Sequence, residues 1–379
     1  MDQITELNQI TAHFQIPGEL VLAERFDRGH INDTYLVRFD QGDGPVEEYI
    51  LQRINHFVFK QPLEVMANIE AVLGHLRYKI EAAGGDPSRE VLTLIPTHEH
   101  GYLYISADQC YWRVYARIRD ARTYQTPASQ AHVYHAGMAF GDFQRLLDDF
   151  PSDSLHETIV DFHNTPVRYQ AFLAAVEADV HRRAASAVAE IDFVRRRAGE
   201  VGVIVEALAA GEVPLRVTHN DTKFDNVMID DHSGEAVCIV DLDTVMPGSL
   251  LFDFGDAIRS IANTGAEDEP DLEKVHFDLE TYENFARGYL EALGITVTPG
   301  EFSLLPFSAR LMTLECGIRF LTDYLIGDEY FRTSREGHNL DRCRTQFRLV
   351  EEMEEQFSEM KRIVQKYSMG EFRIDDFIG

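Results

Sequence analysis

Between residues 217 and 248 the chain reads VTHNDTKFDNVMIDDHSGEAVCIVDLDTVMPG, and acids, a lysine and an amide break up its apolar runs. Asp221 is followed after two residues by Lys223 and after five by Asn226. A loop with this spacing gathers a carboxylate, an ammonium and a carboxamide around one point, suited to a base, a counter-charge for phosphate and a metal ligand. The next stretch, VMIDDHSGEAVCIV, holds Asp-His-Ser-Gly between two short apolar runs, the signal of a hairpin. Its return leg delivers Asp241 and Asp243 beside Asn226. Converging oxygen ligands with few histidines or thiolates suit a hard cation such as magnesium, which binds through one or two carboxylates plus substrate phosphates. A single Asp or Asn in a turn usually just caps the backbone. The whole constellation is what points to chemistry.

The elements that must hold these residues are legible on either side. Residues 20 to 118 read as an antiparallel sheet, with LVLAERF, TYLVRF, EEYILQRI, VLTLIPT, GYLYIS and YWRVYARI as its short apolar or alternating runs. DQGDGP, AAGGDPS and HEHG punctuate them. One helix interrupts the strands, PLEVMANIEAVLGHLRYKIE, with Leu63, Met66, Ile69, Leu73, Leu76 and Ile80 near helical spacing. Beyond residue 125 the texture becomes helical. Thr165 and Pro166 read as the cap and first turn of one helix; Thr298, Pro299 and Glu301 supply the cap, first turn and capping box of another. The expected fold class is α+β: an antiparallel-sheet lobe over 1–118, a hinge over the charged stretch 119–125, and a mostly helical lobe over 126–379, with a cleft between them.

A formal charge of -29 repels phosphate backbones, so nucleic acid is not an expected partner. Any site for a polyanion must be rescued locally by cations or metal. No run approaches the roughly 18 apolar residues of a membrane span, and no membrane partner is expected. The start, MDQITELNQITAHFQIPGEL, lacks the basic and apolar regions of a secretory leader, which makes the cytoplasm the expected location. Cys110, Cys238, Cys316 and Cys343 show no CxxC spacing and read as reduced thiols. A monomer or weak homodimer is expected.

The pattern His219-x-Asp221-x-Lys223-x-x-Asn226, then a hairpin, then Asp241-x-Asp243 resembles the catalytic core of the aminoglycoside phosphotransferase and choline kinase superfamily, relatives of the protein kinases. The sheet-rich lobe, one early helix and a helical lobe follow in the matching order over nearly the whole chain. That resemblance implies a bilobal protein-kinase-like fold. Protein kinases themselves fit less well: DRGHINDTY stands where they carry a glycine-rich loop, and no Ala-Pro-Glu segment follows the metal aspartate. A literal Asp-Phe-Gly at 253–255 lies beyond the hairpin, whereas Asp241 directly ends its second strand. Asp253 and Asp256 therefore read as supports of the helix start or the catalytic loop. At closer range RGHINDTY, ILQRIN, DFHNTP, HNDTKFDNV, DLDTVMPGSLLFDFGDAIR, GIRFLTDYL and REGHNLDRCRTQF resemble the N-acetylhexosamine 1-kinase branch of that superfamily.

By this resemblance the chain would use ATP and Mg2+ to phosphorylate the anomeric C1 hydroxyl of N-acetylglucosamine or N-acetylgalactosamine. Asp221 would be the catalytic base, in contact with the sugar substrate, and Lys223 would offset charge on the moving phosphoryl group. Asn226, Asp241 and Asp243 would form the metal site. For the nucleotide phosphates, YILQRIN offers Arg53, chosen over Gln52 for its bidentate donors although the lysine of the family is absent. The helix partner of that cation is Glu64 or Glu70. Gly29 would let the backbone approach the phosphates, with His30 or Asn32 reaching in, and backbone groups near Ile118 to Asp120 would hold the adenine. Arg319 and Tyr330, with Asp33, His163, Phe162 and Asn164 as additions, would recognise the sugar; a plain amphipathic helix with Arg319 paired to an acid is the alternative reading. His219 reads as a hydrogen-bonding scaffold. The rival functions are a kinase of another small alcohol, such as choline, homoserine, another sugar or an aminoglycoside, and a catalytically silent binding protein on the same scaffold.

Overall fold

A computed structural model describes residues 3–26, 31–42 and 44–368. Helix α1 (Gln3–Thr11) precedes strands β1 (Glu19–Phe26), β2 (Asp33–Asp40) and β3 (Glu47–Ile54). Helix α2 (Pro62–Ala82), the single turn α3 (Pro87–Glu90) and strands β4 (Tyr104–Ile105) and β5 (Tyr111–Ala116) follow. The five strands form one antiparallel sheet in the order β1-β2-β3-β5-β4. Two of the expected strands shrink. VLTLIPT makes only isolated bridges at Leu94 and Thr97, and GYLYIS is reduced to β4. Pro96 has no N–H to give a ladder, and the turn between them runs through positive φ at His100 and Gly101.

Successive side chains of a strand point to opposite faces, and this divides the sheet. Tyr35, Val37, Leu51, Trp112 and Val114 pack with Leu7, Ile10 and Phe14 of the α1 side. Ile54 and Tyr115 pack with Val65, Met66, Ile69 and Val72 of α2. Cross-strand register places Gln52 opposite both Thr34 and Arg113, on the α2 side.

Strand β6 (Ala121–Arg122) opens the second region, followed by helices α4 (Gln130–Leu146), α5 (Thr165–Ala178), α6 (Val188–Arg196) and α7 (Val203–Ala210). Strands β7 (Arg216–Thr218), β8 (Val227–Asp230), β9 (Ala236–Ile239) and β10 (Met246–Gly248) come next, then helices α8 (Leu250–Ile261), α9 (Leu279–Leu293), α10 (Pro299–Ile326), α11 (His338–Glu355) and α12 (Phe357–Lys366). The hairpin β8-β9 has the expected turn and pairs with β6, which stitches the 119–125 stretch to it; β10 pairs with β7. The capping box of α10 forms as expected from Thr298 and Glu301. The start of α5 is shifted by one residue. Asn164 is its cap, accepting from the Val167 amide, because the Thr165 hydroxyl is drawn into the core, where it donates to Glu315 at 2.6 Å.

Helices α4 and α9 approach closely enough to exclude any side chain at their crossing. A Cβ on Gly288 would overlap the Tyr134 carbonyl, and one on Gly137 would overlap that of Phe285. The contact matters to the site because α4 also carries Phe140, Phe143 and Gln144 onto the loop after β7. Backbone cannot retreat as a flexible side chain can, so Gly288→Ala is expected to destabilise the protein by about 1–3 kcal/mol. The shift of its urea unfolding midpoint at unchanged slope measures this. Among the described residues, all four cysteines are unpaired and no helix is long and apolar enough to cross a membrane.

Candidate active site

The loop after β7 is held from below by α8. Asp253, 1% exposed, accepts from the amides of His219 (2.9 Å) and Asn220 (2.7 Å) and from Gln144 Nε2 (2.7 Å). Asp256 accepts from the Thr222 amide at 2.9 Å and from Arg259. Both aspartates thus support the loop, as read from the sequence. Burial opposes the charge of Asp256, yet Arg259 and Lys223 hold its carboxyl down to about 2. Asn220 adopts positive φ, 65°, with its amide side chain donating to the carbonyls of Thr218 and Thr244. His219 uses both ring nitrogens: Nε2 lies 2.9 Å from the Val240 carbonyl, and Nδ1 faces the Asp221 amide at 3.2 Å. An amide N–H only donates, so Nδ1 is the acceptor and Nε2 carries the proton. This histidine joins the loop to the hairpin as a scaffold.

The loop and hairpin open into a cavity lined by Asn32, Thr34 and Gln52 from the sheet and by Asp221, Lys223, Asn226, Asp241 and Asp243 from below. Lys223 Nζ is 2.8 Å from Asp221 Oδ1. Asp221 raises the lysine pKa, so it stays charged. Asn226 turns Nδ2 toward Asp221, at 2.8 Å from its carbonyl and 3.2 Å from Oδ2, and so keeps Oδ1 free of that pair. The Val240 amide donates to the Asn226 carbonyl at 2.9 Å, which fixes the end of β9 beside the loop. Asp241 then turns through positive φ, 61°, with its side chain exposed to the cavity. Desolvation by the surrounding protein, then the charges of Asp243 and Asp221, push its carboxyl up to about 7. A dication beside it would relieve that repulsion. Among the described residues no three His, Cys, Asp or Glu side chains converge as a metal cluster. Asn226 and Asp241 offer two hard oxygen donors, the number that a magnesium–nucleotide complex commonly takes from protein.

Several expected placements are corrected. Arg53 points to the α1 face, over the Trp112 ring and paired to Asp33, because strand alternation turns Gln52 into the cavity instead. Asp33 lies on that same outer face, between Arg25 and Arg53, and does not line the cavity. Asp243 lines the cavity, but both its oxygens accept from Arg113, 1% exposed, and Asn32 Nδ2 donates to it at 2.5 Å. The 3-10 turn Leu242–Thr244 swings it toward the sheet and leaves Asp241 as the acid open to a cation. Asn32 is in the cavity wall, tied to Asp243 and to the Asn55 amide. Gly29 and His30 lie outside the described residues. Neither Glu64 nor Glu70 makes an ion pair among the described residues; the link from α2 is Asn68, which donates to the His156 and Val245 carbonyls and accepts from the His156 amide. Sequence reasoning passed over Asn68 and Arg113. The available signal was a lone polar residue at a core-facing position of an apolar helix or strand.

A second cluster joins the loop from the other side. His163 is 2.8 Å from Glu315 through Nδ1 and 3.4 Å from the Asn220 carbonyl through Nε2. Next to it Phe162 lies under Arg319 at 5.2 Å, and the same guanidinium lies over Tyr330 at 5.9 Å and Phe331 at 5.6 Å. Arg319 has no ion-pair partner among the described residues. Arg168 donates to the Phe162 carbonyl; burial and then Arg319 lower its pKa. Asp323 accepts from the amides of Tyr330 and Phe331 and so pins the segment that carries both rings. Arg168 and Asp323 were also passed over in the sequence: Asp323 lies within the run GIRFLTDYL, but nothing local marks it as the acceptor of the Tyr330 and Phe331 amides.

Residues 23–294 match the phosphotransferase enzyme family APH, and the chain belongs to that family. Its fold is similar to those of several solved structures. A microcompartment-associated aminopropanol kinase superimposes with a TM-score of 0.59 at 15% identity, covering 94% of this chain and 98% of its own. An amicoumacin kinase solved with AMP-PNP, Ca2+ and Ami gives 0.56 at 13% identity, over 100% and 98%. The GDP complex of aminoglycoside 2'-phosphotransferase-IIIa gives 0.55 at 13%, over 92% and 99%. At such identities the likeness establishes the protein-kinase-like fold alone.

Proposed function

We propose that this phosphotransferase moves the γ-phosphoryl group of ATP to the anomeric C1 hydroxyl of an N-acetylhexosamine, with magnesium. The observation that carries the reading is the meeting of Asp221, Lys223, Asn226 and Asp241 in one cavity under the sheet. In it Asp221 takes the proton of the attacking hydroxyl, and Lys223 Nζ, 2.8 Å from Asp221, stands beside the moving phosphoryl group as a fixed positive charge. Phosphoryl transfer asks for positioning and charge stabilisation, and these groups provide both. Asn226 and Asp241 would hold the magnesium, which when bound offsets the charge of the nucleotide phosphates. A chain with a formal charge of -29 needs that offset to admit ATP at all.

Arg168 and Arg319 favour a neutral, oxygen-rich acceptor over a cationic one. A guanidinium donates to hydroxyl and acetamide oxygens, and it repels the ammonium groups of choline or an aminoglycoside. The aromatic rings of Phe162, Tyr330 and Phe331 offer the apolar faces that a sugar ring can stack on. A silent binding protein would have no use for a lysine and a carboxylate at ion-pair distance above an open metal-type ligand pair.

The test is a panel: N-acetylglucosamine, N-acetylgalactosamine, glucose, choline, homoserine and kanamycin, each with ATP and magnesium, the product located by phosphorus NMR. Phosphate on the anomeric oxygen of the two acetamido sugars is the expected result, with turnover lost on chelation by EDTA and restored by magnesium. Phosphate on a primary alcohol or on an amine-bearing substrate would overturn the assignment of the acceptor. No turnover of ATP with any substrate would overturn the kinase reading.

A further inference from the structure

The sheet presents an amide, rather than a cation, to the cavity at the β3 position opposite the metal loop. Gln52 Oε1 accepts from Arg113 Nε at 3.0 Å and from Nη2 at 2.8 Å. A guanidinium has donors only, so the carbonyl end of the amide must face it, and the amide flip is settled by chemistry. Gln52 Nε2 then points the other way, 3.1 Å from Thr34 Oγ1, and both residues line the cavity. One of the two Nε2 hydrogens is used there, which leaves one for a ligand. Arg113 cannot serve in its place. It is 1% exposed, its remaining donors engage Asp243 and the Met66 sulfur, and the Tyr115 ring covers it at 5.2 Å.

We propose that Gln52 binds the nucleotide, donating through Nε2–H to a phosphate oxygen, and that Arg113 is the positioning residue that locks the amide in this orientation. The inference rests on the nucleotide reading above. It assigns the sheet a neutral hydrogen-bond donor for the phosphates and places its one buried cation a layer behind, where it holds Gln52 and Asp243 together. Asp243, paired to that cation through both oxygens, then ties the sheet to the metal loop.

Two variants at one position test this with Arg113 itself retained, the alanine also withdrawing the acceptor of its Nε and Nη2. Gln52→Ala removes one hydrogen bond to a charged acceptor and is expected to raise KM for ATP about 10-fold, with KM for the acceptor unchanged. Gln52→Glu keeps the shape. If Arg113 orients residue 52, one carboxylate oxygen stays on the guanidinium and the other faces the phosphates, so KM for ATP rises further than in the alanine variant. A residue with a merely structural role would move the melting temperature and kcat without this ordering. A KM for ATP within twofold of the parent in Gln52→Ala, or a glutamate variant that binds ATP better than the alanine variant, overturns the proposal. Isothermal titration of the parent protein with magnesium AMP-PNP separates the two levels: no binding there defeats the nucleotide reading itself, whereas binding with unaltered Gln52 variants defeats only the role of Gln52.

Discussion

Asp221→Asn is expected to lower kcat by about 10²- to 10⁴-fold, the range for loss of a positioned general base. The substitution keeps the size of the side chain and its contact with Asn226, and it removes the one group beside the cavity that can take a hydroxyl proton while paired to a lysine. Asp221 is 27% exposed and Lys223 is 42% exposed, so the lost ion pair is of the solvent-screened kind, worth at most about 1 kcal/mol to the fold. Rate and stability should therefore separate. The expected signature is a steady-state kcat that collapses while KM for ATP stays within a few-fold and the thermal midpoint moves by no more than a few degrees. A variant that turns over at near-parental rate would remove the base from the mechanism.

Asp253→Ala is expected to act the other way, through the fold. Its carboxylate is the shared acceptor of two backbone amides and of the Gln144 side chain in a place with almost no access to water. Truncation strands three donors, each costing about 1–3 kcal/mol when left unpaired. A loss of about 3–5 kcal/mol is expected after partial relaxation, a large share of the roughly 5–15 kcal/mol by which domains are stable. The loop loses its shape as well, because Asn220 holds its positive φ only while its amide is fixed from below. Urea unfolding should show the lower midpoint, and Asp253→Asn, which keeps one acceptor oxygen, should fall between parent and alanine. An alanine variant as stable as the parent would mean that the loop is held by other contacts.

The two outcomes bear on how far the chain could be read from its letters. The run HNDTKFDN, the hairpin and the return of the chain at Asp241 were all readable, since each depends on residues a few positions apart: a turn that needs Asp-His-Ser-Gly, strands that need short apolar runs, a loop whose span is set by five residues. The α10 capping box was readable for the same reason. The support by Asp253 and Asp256 could be guessed from their place at a helix start, although their partners at His219, Asn220 and Thr222 lie more than thirty residues away.

What spacing could not decide was direction. Gln52 and Arg53 are adjacent, and either could face the cavity until β2 and β5 set the register and α1 and α2 claimed opposite faces of the sheet. Asp241 and Asp243 are equivalent as letters; only the buried Arg113, contributed by a strand 130 residues earlier, draws one of them away. The cluster of Arg168, Arg319 and Tyr330 likewise forms where distant helices and loops happen to meet. Local chemistry is written in neighbouring residues because turns, caps and hairpins close over short distances. Which face of an element a side chain takes is set by burial against partners far along the chain, and that belongs to the folded molecule alone.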